Sequence, residues 1–433
     1  MTTKSQRKRL AILVGGGPAP GLNGVIHSAT IEAIRNGMDV FGIYEGYKYL
    51  MQGQLVGEPL TINKVSRIYR DGGSILFTSR ANPTKKPEYL ECCAQKLVDE
   101  GINYLVSIGG DDTAFSAYSI ARYAKEQMGV PMQIVHAPKT IDNDLPLPEG
   151  IPTFGFETAR EVGTRLVMNL MEDARTSQRW YLAVAMGRSA GHLALGIGKS
   201  SGATITVIPE EWGQEKVRLQ EVLDTLAGSV IKRLADDKQD GVAVIAEGLM
   251  EHMDEEDMKQ LSEDIPLDEH GHIRMAEVNF AERLKAKLSD YMKTLGVKNA
   301  PTFVNIDIGY VLRCADPIAF DIDYTRSLGQ AAVQFLLQGG SDAIMTIQEN
   351  KATPIPFVSL MNPQTGRTAV RLVNINSFTY QSARNLMIRL EPEDAEDATL
   401  LSKMVGQTQL TLEEFKQKFG YLIGIPRQAE AGQ

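Results

Sequence analysis

Several things are scarce in this sequence, and each shortage removes a class of function. Three cysteines, Cys92, Cys93 and Cys314, are too few for a disulfide framework, and none stands in a CxxC pair. A reducing, cytoplasmic setting fits that count. No stretch approaches the ~20 consecutive apolar residues of a membrane helix, so no membrane partner is expected. Behind the basic opening MTTKSQRKRL the apolar run Leu10 to Val14 is too short for a signal peptide. The opening itself reads as a solvated terminus. Positive charge is also short: 45 Lys and Arg face 54 Asp and Glu, for a net charge of −9. A nucleic-acid partner wants a basic face and is not expected. A small anionic substrate needs only a few local cations or a metal, and stays in play. The chain has no internal repeat and no low-complexity tract. His27, His136 and His192 are scattered without metal-ligand spacing and read as structural.

What is present points to an α/β protein. At 433 residues the chain exceeds the roughly 250–300 residues at which a single core stops growing, so two lobes are expected. Short apolar runs read as strands at Leu10–Val14, Val40–Tyr44, Tyr104–Ile108, Gln133–Val135, Trp180–Ala185, Thr204–Ile208 and Val242–Ala246. Amphipathic patterns at Leu22–Arg35, Ala114–Met128, Phe154–Arg175 and Val217–Arg233 separate them as helices. That alternation predicts mainly parallel sheets covered on both faces. One acidic segment, Glu251 to His272, lacks clean periodicity and reads as a surface excursion or lid-like insertion. A long amphipathic pattern, Ala276 to Leu295, follows it.

Three loops carry chemistry. Val14-GGGPAPGLN-Gly24 joins the first strand to the first helix. Glycines there let backbone N–H groups approach a phosphate at a helix N-terminus. The loop is neither GxxxxGK[ST] nor GxGxxG, and a tight turn without a ligand is its ordinary alternative. Ser107-IGGDD-Thr113 follows one buried strand, with Gly109 and Gly110 turning the chain before two carboxylates. Pro138-KTIDN-Asp144 follows the next and packs Lys139, Thr140, Asp142 and Asp144 together. In open α/β sheets ligands bind beyond the carboxyl ends of strands. Four acids there call for a cation, and magnesium bridging carboxylates to phosphate supplies it. Aspartates merely capping helices are the alternative for either loop alone.

Together GGGPAPGLN, GGDDT and PKTIDND resemble the phosphofructokinase family. Further pieces agree in order: Gly72-GSILFTS-Arg80, Gln178-RWYLAVAMG-Arg188, Ala246-Glu247-Gly248 and Gly309-YVLRCADPIAF-Asp321. The resemblance covers roughly residues 10 to 345. It implies two similar three-layer lobes with the active site in the cleft between them. Residues 1–150 plus about 313–360 would form the donor lobe, and 151–312 plus about 361–433 the sugar-phosphate lobe. It implies Asp111 as the magnesium-linked aspartate and Asp142 as the catalytic base, with Thr140 and Asp144 around the transferred phosphoryl group. Gly17, Gly110 and Arg80 would serve the donor phosphates. Met186, Gly187 and Arg188 would hold the sugar phosphate, Glu247 would bond the sugar, and Tyr310 and Arg313 would grip the 6-phosphate. Arg179 matches an arginine that reaches into a neighbouring subunit's site in many members, which implies a homodimer or homotetramer.

Within that resemblance the phosphoryl donor turns on Asp112 and Lys139. ATP-using members generally carry glycine at position 112. An aspartate there would crowd and repel the α-phosphate of ATP, whereas pyrophosphate stops short of it. Lys139 would lie near the transferred group as a point charge. The implied activity is reversible, magnesium-dependent transfer from pyrophosphate to the 1-hydroxyl of fructose 6-phosphate, a glycolytic step; sedoheptulose 7-phosphate is a second possible acceptor. Two alternatives stand beside it: an ATP-dependent 6-phosphofructokinase, and a non-catalytic regulatory paralogue that senses sugar phosphate. Asp112 speaks against the first, and the presence of Asp111, Asp142 and Asp144 against the second. The effector-binding cations that bacterial ATP-using members place on the first helix are replaced by His27 and Ile31, and the subunit-bridging arginine before Tyr310 by Val304. The region after 345 carries no catalytic motif.

Overall fold

The computed structural model describes residues 8–213, 215–261, 278–361 and 369–425. The chain divides into two compact units, Met1–Ala159 with Tyr310–Arg371, and Arg160–Gly309 with Leu372–Gln433.

In chain order the first unit contributes β1 (Arg9–Val14), β2 (Asp39–Ile43), β3 (Gly57–Pro59), β4 (Tyr104–Gly109) and β5 (Gln133–Pro138). The second unit contributes β6 (Arg179–Ala185), β7 (Ile205–Val207), β8 (Gly241–Ala246) and β9 (Thr302–Ile308). The chain then returns to the first with β10 (Ala343–Gln348) and β11 (Lys351–Pro356). The first sheet has the order β11-β10-β5-β4-β1-β2-β3 and the second β7-β8-β6-β9. All pairings are parallel except the two edge strands β3 and β11, which run antiparallel.

Why the central strands are continuous apolar runs is visible in where their side chains go. Successive residues of a strand face opposite sides of the sheet. Leu10, Ile12 and Val14 of β1 join one core with Leu22, Val25 and Ile26 of the first helix. Ala11 and Leu13 join another with Cys93, Leu97, Ala117 and Ile120. With helices on both faces, neither set tolerates polar residues. In the second unit Trp180, Leu182 and Val184 alternate toward a core closed by helices Leu219–Ala235 and Phe280–Thr294. Leu401, Met404, Phe415 and Phe419 from the C-terminal region complete that core.

Several expectations change. Glu251–His272 is not simply a solvated excursion. Short helices span Leu249–His252 and Glu255–Leu261, and Met253, Met258 and Leu261 are buried in the second unit's core. Residues 262–272 lie outside the described residues. The helix expected from Phe154 starts at Phe156, because Phe154 bridges to Lys139 and its N–H donates to Pro138 O at 3.3 Å. The unit divisions also differ from those expected. Tyr310 belongs with the first unit rather than with 151–312, and Arg371 with the first unit rather than with 361–433. Arg313 faces Gly17, with its guanidinium carbon 4.9 Å from the Tyr310 ring centroid, and Arg371 bonds carbonyls of residues 143–151.

Candidate active site

Sheet order locates the first cluster. From β1 the chain passes to β2 on one side, while β4 lies on the other. The crevice where the order reverses is the place an open α/β sheet offers a ligand. The loops after β1, β4 and β5 meet at that end. Gly15 N donates to Ile108 O at 2.9 Å, Gly16 N to Ser79 O at 2.8 Å and Lys139 N to Gly109 O at 2.8 Å. Two glycines are required here. A β-carbon on Gly15 would collide with Thr113, and Gly16 has φ +81°, a left-handed conformation that glycine adopts without a steric cost.

Lys139 is buried and its Nζ donates to Gly17 O at 2.6 Å. A β-carbon on Gly17 would lie 3.6 Å from the guanidinium carbon of Arg313. Two cationic side chains thus face the glycine loop. Arg80, exposed, directly follows Ser79, which pairs with Gly15. The helix Asp111–Gln127 opens with Asp111 and Asp112, both exposed. Neither is the cap: Gly110 holds that position and no side chain caps the helix. The capping alternative is therefore corrected. Carboxylates in a first turn are favoured by the helix dipole.

The loop after β5 carries a feature that sequence does not show. Asp142 is buried, and its Oδ1 has no hydrogen-bonding partner among the described residues. Asp142 N donates to Thr140 Oγ1 at 3.0 Å, and Thr153 Oγ1 donates to Thr140 O at 2.7 Å. Between the two aspartates, Asn143 adopts φ +58° and accepts from Thr153 N at 3.0 Å. An unpaired buried oxygen costs about 1–3 kcal/mol, a cost that a ligand or reacting group at Asp142 would offset.

Beneath these loops stands His136. Its Nε2–H donates to Gly109 O at 2.9 Å and its Nδ1 accepts from Ser107 Oγ at 2.8 Å, so it braces the turn before Asp111. Burial pushes its pKa down to about 3, and the Lys139 charge adds to this against the bond to Gly109. The ring is neutral when folded but takes a proton near pH 6.5 when unfolded. The unfolded state therefore binds more protons between about 3 and 6.5, and stability must fall as pH falls through that window. The expected slope from this residue is about 1.4 kcal/mol per pH unit. Urea melts at stepped pH should show the slope in the wild type and its loss in His136→Gln, which keeps a donor and an acceptor. Parallel curves for the two proteins would clear His136 of the effect.

In the second unit the order reverses between β6 and β9, and again the loops converge there. Glu247, at the end of β8, accepts at Oε1 from Gly187 N and Arg188 N, each at 3.0 Å. Met186 N donates to Ile308 O at 3.0 Å. Arg188 has φ +49°, a strained non-glycine conformation of the kind that clusters at functional turns. Met186, Gly187, Arg188 and Glu247 are thus one assembly. Arg179 is not part of it. It stands at the opposite end of β6, roughly 20 Å along the strand.

Sequence reasoning passed over Asn143 and Arg371. Their signals are backbone conformation and a distant contact, neither of which leaves a motif. His27 is structural as expected: it is buried, and its Nδ1–H donates to Val65 O at 2.8 Å. Among the described residues no three His, Cys, Asp or Glu side chains converge as a metal cage, and no helix is long and apolar enough to cross a membrane.

The phosphofructokinase family model matches residues 9–336. Over 424 residues the chain is 50% identical to the pyrophosphate–fructose 6-phosphate 1-phosphotransferase of Thermotoga maritima, covering 97% of this chain and all of that one. A protein of the same name from Naegleria fowleri is 48% identical over 423 residues, covering 96% and 95%. The crystal structure of the pyrophosphate-dependent phosphofructokinase from Nitrosospira multiformis matches with a TM-score of 0.65 at 18% identity, covering 92% of each chain, and supports the fold alone. With its glycine loop and two aspartate loops gathered at one switch point, this chain belongs to the phosphofructokinase family.

Proposed function

We propose that this protein is a pyrophosphate-dependent phosphofructokinase, transferring a phosphoryl group from pyrophosphate to the 1-hydroxyl of fructose 6-phosphate. The observation that carries the mechanism is Asp142, a buried carboxylate with an unpartnered oxygen, three residues after a lysine that reaches the glycine loop. The near-full-length relatives at 50% and 48% identity bear the same pyrophosphate-dependent name.

Asp142 takes the proton of the 1-hydroxyl, and that oxygen attacks the terminal phosphorus in line. Fructose 1,6-bisphosphate and orthophosphate are the products. Lys139 and the N–H groups of the glycine loop offset charge on the transferred group, with Arg80 beside them. Thr140 and Asp144 shape the loop around the base. Met186, Gly187, Arg188 and Glu247 bind the sugar phosphate, and Tyr310 and Arg313 its 6-phosphate. Arg179 is assigned to a neighbouring subunit's site in a homo-oligomer.

The donor set fits magnesium. Asp111 is an exposed carboxylate at a strand-to-helix turn, with Gly110 before it and Asp112 after it. Magnesium takes one or two carboxylates and completes its shell with phosphate oxygens and water, so no protein cage is needed. When bound it supplies charge neutralisation to the phosphates.

The test is initial-rate turnover of fructose 6-phosphate with magnesium and either pyrophosphate or ATP at matched concentrations. Turnover with pyrophosphate and little with ATP is expected. Turnover with ATP alone would overturn the donor assignment, and turnover with neither would bring forward the regulatory paralogue.

A further inference from the structure

We propose that Arg371 is a positioning residue for the phosphoryl-transfer loop, fixing the backbone on which Asp142 and Asp144 are carried. It comes from a region without any catalytic motif, and the proposal rests on Asp142 being the base.

The loop needs an outside donor. Residues 144–152 read DLPLPEGIP, and Pro146, Pro148 and Pro152 have no N–H to give. Backbone carbonyls withdrawn from water must find partners nonetheless. One guanidinium supplies them. Arg371 Nε donates to Asn143 O at 3.0 Å and Nη2 to the same oxygen at 2.9 Å. Nη1 donates to Ile151 O at 2.8 Å and more weakly to Leu147 O at 3.3 Å and Pro148 O at 3.4 Å. Nη2 also donates to Asn143 Oδ1, and Arg371 N donates to Asp144 O at 2.7 Å.

Asn143 is the residue between the two aspartates, and it is held in a left-handed conformation. Both its carbonyl and its side chain are anchored to the same guanidinium. Releasing it lets φ relax, and Asp142 turns with it. Burial lowers the Arg371 pKa and the Asp144 carboxylate opposes that shift, so the charge is retained beside the loop. A lysine keeps a positive charge but not the planar fork that serves several carbonyls at once.

The experiment is steady-state kinetics with magnesium, pyrophosphate and fructose 6-phosphate on Arg371→Ala, Arg371→Lys, Asp142→Ala and the double variants, each confirmed folded by circular dichroism. A misplacement of about 1 Å costs on the order of a hundredfold in rate. Arg371→Ala should therefore lose about a hundredfold in kcat, with both KM values within about threefold of wild type. Arg371→Lys, the milder change, should lose about tenfold and carries the test if the alanine variant does not fold. In the Asp142→Ala background neither substitution should lower the residual rate further, because the base they position is already gone. An unchanged kcat, a rise in KM alone, or losses that multiply in the double variants would each overturn the proposal. Near-normal turnover by Asp142→Ala would overturn the assignment of the base, and this proposal with it.

Discussion

Asp142→Ala is expected to lower kcat by about 10²–10⁴-fold, the usual contribution of a positioned acid or base. KM for fructose 6-phosphate should change little, since the sugar contacts are assigned to other residues. The same substitution should leave the protein as stable as before or more so. Asp142 Oδ1 is buried without a partner among the described residues, and removing an unsatisfied polar atom relieves a cost of about 1–3 kcal/mol. Loss of activity with no loss of thermal stability separates a catalytic carboxylate from a structural one. A variant that loses activity only because its melting temperature collapses would assign Asp142 to the scaffold. Asp142→Asn, nearly the same size, should be as inactive as the alanine variant.

Asp112→Gly should raise the ratio of kcat/KM for ATP over that for pyrophosphate by about a hundredfold. Two like unit charges about 5 Å apart at an effective dielectric near 20 repel by about 3 kcal/mol, which is on the order of a hundredfold in binding. The position is suited to that role. Asp112 is the second residue of helix Asp111–Gln127, exposed at the end of the sheet where the glycine loop also lies. A glycine in a first turn costs up to about 1 kcal/mol of helix stability, too little to unfold a core of this size. Competition assays with both donors and fructose 6-phosphate in the same tube would measure the ratio directly. An unchanged ratio would place the donor determinant elsewhere.

Much of this was legible in the sequence. The buried strands announce themselves because both faces of each are covered, which forces an unbroken apolar run such as LAILV or GVAVIA. The helix Leu22–Arg35 agrees at both ends with its periodicity, since glycines precede it and Asn36 and Gly37 follow. The family resemblance is borne out by the match over 9–336. Less legible were helices His192–Ser201 and Ala319–Leu337, where small residues and glycines blur the 3.6-residue pattern. The acidic stretch after Glu251 misleads for a similar reason. Within residues 251–261 the buried Met253, Met258 and Leu261 stand among six charged residues, Glu251, Asp254, Glu255, Glu256, Asp257 and Lys259.

By itself the sequence determined the chemistry available: two glycine-turned strand ends, paired carboxylates, one lysine, and local motifs close enough along the chain to name a family. Local spacing suffices there because each motif is a single turn whose geometry its own residues dictate. Only the tertiary structure decided what lies far apart in the chain. It brought Arg313 to Gly17, tied Glu247 to the turn at Gly187, left Arg179 at the wrong end of its strand to join that turn, and closed Arg371 over the loop of Asp142. Such contacts depend on strand order and on where unpaired carbonyls point, and a linear pattern of residues encodes neither.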